Sequence, residues 1–184
     1  MDTPGTYENH LSAAEPRWFA VYTKYKREKL VHKRLTESGV ESYLPIITLS
    51  RRYGNRIRTV ELPLIGTYIF TRITKAQYVT VLRTLDVVGF VKFSQNLIAI
   101  PDDEIRILQR VVGQGIEVEV EPNGYRVGDE VEIIGGNLTG VKGILQATDQ
   151  NKNFVIELNQ IGYSLRIQVE PAMLRPIRKA AGAV

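Results

Sequence analysis

The chain has 184 residues, 43% of them hydrophobic and 24% charged, which is enough apolar material for one or two cores and excludes wholesale disorder. It has no cysteine, so disulfides, thiol nucleophiles and cysteine-ligated zinc are excluded, and no apolar run approaches the ~18 residues of a membrane-crossing helix. The net charge of +4 is unevenly placed: residues 1–16 sum to −3, residues 17–112 to +9 and residues 113–184 to −2, which points to two modules, the first facing a polyanion or simply presenting a solvated basic face.

Residues 1–16 show no periodicity and no basic stretch leading into an apolar core, so they read as a disordered leader rather than a secretion signal, and the chain as cytoplasmic. Trp18 to Thr23 is aromatic and β-branched, a strand pattern. Lys26 to Ser38 reads as a helix stopped by Gly39. Ser42 to Leu49 is extended, and Arg51–Tyr53 and Arg56–Leu62 flank the turn dipeptide Gly54-Asn55 as a hairpin. Thr67 to Ile73 is a strand, Lys75 to Leu85 a helix and Gly89 to Phe93 a short strand. Asp102, Asp103 and Glu104 open a third helix where its dipole favours carboxylates. The order β-α-β-β-β-α-β-α describes an α+β layer over residues 17–112. Residues 113–124, with three glycines and a proline, read as a linker that adds one extended segment at most. From residue 125 to 178 short alternating strands, Glu130–Ile133, Gly143–Thr148, Asn153–Leu158, Ser164–Val169 and Met173–Leu174, suggest a small all-β barrel, with residues 179–184 as a tail.

Catalytic chemistry finds no footing. His10 and His32 lack metal-ligand spacing, and the neighbours of His32 are Lys33 and Arg34 rather than an orienting carboxylate. Gly135 and Gly140 have the spacing of a phosphate loop, but Val141 stands where its lysine is required, so the segment reads as a turn. No enzyme, metal or cofactor is expected.

Binding features are plainer. At 100° per residue Lys26, Arg27, Lys29, Lys33 and Arg34 fall within an arc of about 160°, opposite Val31 and Leu35, and Lys24 extends the positive surface. Such an arc can track a phosphate backbone, and Arg51, Arg52, Arg56 and Arg58 add four cations on the hairpin. Tyr68 and Phe70 alternate with Ile69 and Ile73, after the apolar Leu62-Pro63-Leu64-Ile65. Either this strand is central and buried on both faces, or one face with Leu64 and Ile65 is an open apolar patch for another protein.

Arg17-Trp18-Phe19-Ala20-Val21-Tyr22-Thr23, the basic helix, Tyr43-Leu44-Pro45 and Glu61-Leu62-Pro63-Leu64-Ile65-Gly66-Thr67-Tyr68-Ile69-Phe70 together resemble the NusG family of transcription elongation factors. Val88-Gly89-Phe90-Val91 and Ile100-Pro101-Asp102-Asp103-Glu104 continue the match. Val127-Gly128-Asp129-Glu130-Val131 through Gly143 resembles a KOW motif. The compact segment from Pro45 to Leu64 is closer to the operon-specific paralogues, RfaH and the UpxY antiterminators of polysaccharide operons.

The resemblance implies an N-terminal NGN-type domain, an antiparallel sheet with helices, followed by a KOW-type SH3-like barrel, acting as a monomer in transcription antitermination. Leu64, Ile65, Tyr68 and Phe70 match the apolar depression that docks on the clamp helices of the largest RNA polymerase subunit, with Ile65 in place of the usual phenylalanine. Specialised members read non-template DNA at the start of the first helix and around the second, and there Lys24 and Arg34 match best, with Arg27 nearby and Thr80, Arg83 and Thr84 on the second helix. Leu138 and Val141 stand where the barrel loop meets a small-subunit ribosomal protein or Rho. In some members the barrel refolds as helices, but the alternating Val131, Ile133, Val155, Ile156, Ile167 and Val169 favour strands. The rival is a ribosome- or RNA-associated KOW-domain binding protein.

Overall fold

A computed structural model describes residues 7–114, 118–122, 128–148, 151–158, 161–169 and 173–177. It divides into two compact units, residues 1–105 and 106–184.

In the first unit, strands β1 (Arg17–Thr23), β2 (Glu41–Tyr43), β5 (Tyr68–Ile73) and β6 (Val87–Phe90) form an antiparallel sheet in the order β2-β5-β1-β6. Helix α1 (Glu28–Glu37) lies against β2 and β5, and α2 (Tyr78–Arg83) against β6. Alternation on the strands sends Phe19, Val21, Ile69 and Ile73 to one face, where they pack with Val31 and Leu35 of α1 and Val81 of α2. Each such side chain, once fully buried, contributes about 1.5–3 kcal/mol. The register sets Ala20 opposite Phe70 and Tyr22 opposite Tyr68. Those residues share the other face, where Trp18, Ala20, Tyr68 and Phe70 are also buried. The central strands are therefore covered on both sides, which explains their unbroken apolar run.

Both α1 and α2 are shorter than their sequence patterns. Lys26 has a left-handed φ of 60°, so α1 begins only at Glu28. Lys75–Gln77 forms a 3-10 turn before α2, fixed by a reciprocal capping box between Thr74 and Gln77. The extended segment after α1 is broken at Pro45 into β2 and β3 (Ile46–Tyr53), and β3 pairs with β4 (Arg56–Pro63) as a separate two-stranded ribbon. Gly54, at φ 60°, makes the ribbon's tight turn possible.

The leader is not loose where it is described. Asn9 bridges Leu97 in parallel, His10 N–H donates to the Leu97 carbonyl and Leu97 N–H to the Glu8 carbonyl, both at 2.9 Å, and Lys75 N–H donates to Ser12 at 2.8 Å. Leu11 packs against the core. The Asn9–Leu97 bridge spans nearly ninety residues of sequence, so no local pattern reveals it. It satisfies backbone groups beyond β6 that would otherwise need water.

Helix α3 (Asp102–Val112) follows. In the second unit six antiparallel strands, β7 (Val118–Pro122), β8 (Asp129–Ile133), β9 (Lys142–Thr148), β10 (Asn151–Leu158), β11 (Tyr163–Gln168) and β12 (Leu174–Pro176), take the order β12-β8-β9-β10-β11-β7. Val131, Ile133, Val155, Ile156, Leu165 and Ile167 are buried, as the strand pattern requires. The segment read as a linker thus supplies β7, registered on β11 from Val118 opposite Ile167 to Pro122 opposite Tyr163. The glycine-bearing turn between β8 and β9 is a 3-10 turn, Gly136–Leu138, with no phosphate-loop helix behind it.

Candidate nucleic-acid and polymerase interfaces

Four of the six residues expected to touch nucleic acid line one open groove of about 470 Å³ between α1 and the α2 end: Arg34, Thr80, Arg83 and Thr84, joined by Glu37, Ser38 and Leu85. That volume lies within the roughly 300–1,000 Å³ of small-ligand clefts. α1 contributes Arg34 from its last turn, and α2 contributes Thr80 and Arg83 one turn apart. Thr84 turns its hydroxyl back to the Thr80 carbonyl at 2.9 Å. Arg83 makes no hydrogen bond or ion pair among the described residues. Lys24 and Arg27 do not line the groove.

The positive arc is largely compensated. Arg34 Nη1 donates to Asp86 Oδ2 at 2.7 Å and to the Leu85 carbonyl at 3.0 Å. Lys24 Nζ lies 3.6 Å from Asp86 Oδ1, and its backbone N–H donates to the Asp86 carbonyl at 2.9 Å. Lys29 pairs with Glu61 at 3.1 Å and Lys33 with Glu37 at 3.8 Å. Lys26 sits over the ring of its neighbour Tyr25. Asp86 was not singled out in the sequence, because its partners are more than fifty residues away in Arg34 and Lys24. It adopts a left-handed φ of 74°, uncommon for a residue with a side chain. The hydrogen bond from Arg34, reinforced by the charges of Arg34, Lys24 and Arg27, holds its carboxyl below the ordinary value of 3.8.

The ribbon carries the second basic group. Register sets Arg51 directly opposite Arg58 and Tyr53 opposite Arg56, so three arginines and a tyrosine share one exposed face. Like charges facing directly across a strand pair disfavour it.

The expected apolar ledge is not open. Leu64, Ile65, Tyr68 and Phe70 are 7%, 3%, 5% and 0% exposed. The alternative of a central strand buried on both faces is the one realised: Ile69 and Ile73 sit in the core with Val31 and Leu35, and Tyr68 and Phe70 lie against Tyr22 and Tyr43 on the other face. Tyr68 OH donates to Tyr22 OH at 2.8 Å with the rings edge-on at 4.8 Å, and Phe70 stacks on Tyr43. Tyr22, at 38% exposed, is the accessible ring of this face, and strand alternation from Tyr68 through their register could have found it. The segment is locked from below by Glu28. This carboxylate, 5% exposed, accepts the Thr67 N–H at 2.8 Å, and the Thr67 carbonyl accepts the Thr23 N–H at 2.9 Å.

Leu138 and Val141 are likewise buried, at 7% and 3%. The turn bearing them is closed by Gly140 N–H to the Ile133 carbonyl at 2.7 Å. Arg110 donates to the Asn137 and Thr139 carbonyls, both at 2.8 Å. Both apolar residues point inward because the turn is folded over the strands' own core.

The family model described as "Transcription termination factor nusG" matches residues 16–109, half of the chain. The chain belongs to the NusG family. A solved structure titled "Domain interaction in Thermotoga maritima NusG" is 22% identical, with a TM-score of 0.54, over 91% of this chain and 100% of that one. Two conformations of the MjSpt4:Spt5 complex match at 18% identity and a TM-score of 0.30, one covering 89% of this chain and 99% of the other, the second covering 90% and 99%. No curated protein matches. The first unit is thus the NGN-type domain of a NusG-family transcription factor, and the six-stranded sheet of the second fits a KOW-type, SH3-like barrel. Among the described residues no helix is long and apolar enough to cross a membrane.

Proposed function

We propose that this NusG-family chain is an operon-specific antitermination factor of the cytoplasm, which docks on the clamp helices of RNA polymerase, contacts the exposed non-template strand and suppresses pausing and termination. The observation that carries the nucleic-acid part is the groove, where Arg34, Thr80, Arg83 and Thr84, chosen from sequence, line one depression. Docking uses the sheet face of Tyr22, Tyr68 and Phe70. Because Tyr68 and Phe70 are buried, Tyr22 is the ring of this face that makes the contact. The energetic logic is a population shift: the factor binds the elongating polymerase more tightly than the paused one, and about 1.4 kcal/mol of difference is tenfold in the equilibrium. The barrel recruits a further factor, a small-subunit ribosomal protein or Rho; Leu138 and Val141, both buried, shape the turn that meets it rather than offering their side chains.

The test is retention of core RNA polymerase by the immobilised full chain. Tyr22→Ala should weaken retention at least severalfold with the chain still folded by circular dichroism, while Tyr22→Phe, which keeps the ring against Tyr68, retains most of it. Unchanged retention by Tyr22→Ala would remove this face from the docking surface, and sedimentation with ribosomal particles in place of polymerase would favour an RNA-bound role.

A further inference from the structure

We propose that the leader is a pH-sensitive strap with His10 as its catch: residues 8–12 lie closed on the first unit while the imidazole is neutral and let go when it takes a proton. The device does not depend on what binds in the α1–α2 groove.

The strap is stitched to the segment after β6 and to the turn before α2. Glu8 N–H donates to Asn96 Oδ1, Leu97 N–H to the Glu8 carbonyl and His10 N–H to the Leu97 carbonyl, each at 2.9 Å. Lys75 N–H donates to the Ser12 carbonyl at 2.8 Å. Between these stitches sits the half-buried His10 ring, whose Nδ1 accepts the Ala99 N–H at 3.1 Å. Its Nε2 faces Glu8 Oε1 at 2.8 Å. An ionised carboxylate only accepts, so Nε2 carries the proton and Nδ1 is bare. The closed strap therefore holds the ring in one tautomer of its neutral form.

Protonation acts unequally on the two contacts. Glu8 belongs to the strap, two residues from His10, so their pair forms as well in an open leader as in a closed one and does nothing to hold the strap down. The Ala99 bond exists only when the strap is closed. A proton on Nδ1 removes that acceptor and sets two donors face to face, one of them a backbone N–H with no other partner among the described residues. The charges lining the clefts beside the strap are Glu8, Glu15, Arg17, Arg72, Lys92 and Asp102, and Lys75 meets Ser12. Among the described residues Glu8 alone pairs with His10. Arg17, whose Nη1 donates to the His10 carbonyl at 3.2 Å, adds a like charge beside a protonated ring. Opening bares the backbone groups of Leu97 and frees the start of α2, the helix that bears Thr80 and Arg83.

The experiment is amide hydrogen exchange of the full chain, followed by NMR at about pH 7.5 and about pH 5.5, which span the titration of an ordinary histidine. Rates are expressed against those of an unstructured peptide at the same pH. Protection at His10, Leu97 and Lys75 should fall about tenfold at the lower pH, as expected for one lost backbone bond, while Val21 and Ile69 keep theirs. In His10→Gln the side-chain carbonyl can still accept from Ala99 but does not titrate, so the fall should vanish. Glu8→Gln should leave the fall in place, because that pair travels with the strap. His32, the other histidine, is present in every variant, so the comparison isolates residue 10. Imidazole nitrogen shifts of the parent chain at neutral pH should place the His10 proton on Nε2, a readout that needs no variant. Protection that does not fall in the parent, or that falls equally in His10→Gln, overturns the proposal. So does a proton found on Nδ1, or a fall that disappears in Glu8→Gln. If His10→Gln leaves the strap open at both pH values, the nitrogen shifts and the Glu8→Gln comparison decide by the same criteria.

Discussion

Replacing Glu28 by alanine tests how the signature strand is held. Its carboxylate is 5% exposed and accepts the Thr67 N–H at 2.8 Å, while Thr67 is held at a left-handed φ of 63°. A hydrogen bond to a charged group contributes about 1.5–3 kcal/mol net, and its loss leaves the Thr67 N–H without a partner. Glu28 also sits in the first turn of α1, where a negative charge adds roughly 0.3–1 kcal/mol. Together these put the cost of Glu28→Ala at about 2–3 kcal/mol, a large share of the 5–15 kcal/mol of an ordinary domain. For a domain near a hundred residues this is a fall in melting temperature of roughly ten degrees or more. Circular dichroism melts would measure it, with Glu28→Gln, which keeps the acceptor, recovering more than half. Glu37→Ala serves as the control, since its pair with Lys33 is long and exposed on both sides. If Glu28→Ala melts with Glu37→Ala, Glu28 does not hold the strand.

Three further outcomes follow from the same reasoning. Among the described residues the buried Tyr43 hydroxyl has no hydrogen-bond partner, and burial pushes its ionisation up to about 12; Tyr43→Phe should stabilise the chain by about 1 kcal/mol in urea unfolding and remove a late-titrating phenol from the ultraviolet titration. Burial lowers the His32 pKa below 6.5, so the folded chain prefers the neutral imidazole; its contribution is full above the unfolded value and is lost as pH falls through 6.5 toward the folded value. Urea midpoints taken from about pH 8 down to about pH 5.5 should therefore decline less in His32→Asn than in the parent. A Cβ at Gly128 would overlap the Leu145 carbonyl oxygen and crowd the Ile144 side chain, so Gly128→Ala should destabilise the C-terminal sheet, seen as early loss of amide protection in β8 and β9, while β1 and β5 stay protected.

Local pattern reveals the elements better than it reveals their surroundings. The Gly54-Asn55 dipeptide and its arginine-rich flanks specify the ribbon, and the alternation of Phe19 and Val21 or Ile69 and Ile73 specifies the two central strands, because turn chemistry and side-chain period are properties of adjacent residues. What covers a strand is not such a property. Tyr68 and Phe70 fit an open ledge and a doubly buried strand equally well until the sheet order is known. The leader's pairing with Leu97, the docking of β7 on β11 and the ion pair of Asp86 with Arg34 all join residues tens of positions apart, and each depends on the fold to bring them together. The groove residues Arg34, Thr80, Arg83 and Thr84 were legible through family resemblance, whereas the compensation of the basic arc by Asp86, Glu61 and Glu37 required coordinates.

The most direct measurement is the dwell time of purified RNA polymerase at a defined pause on a template, with and without the full chain. Shortened pauses that return to their basal length with Tyr22→Ala are the predicted result. Pauses left unchanged at concentrations that saturate polymerase would contradict the account.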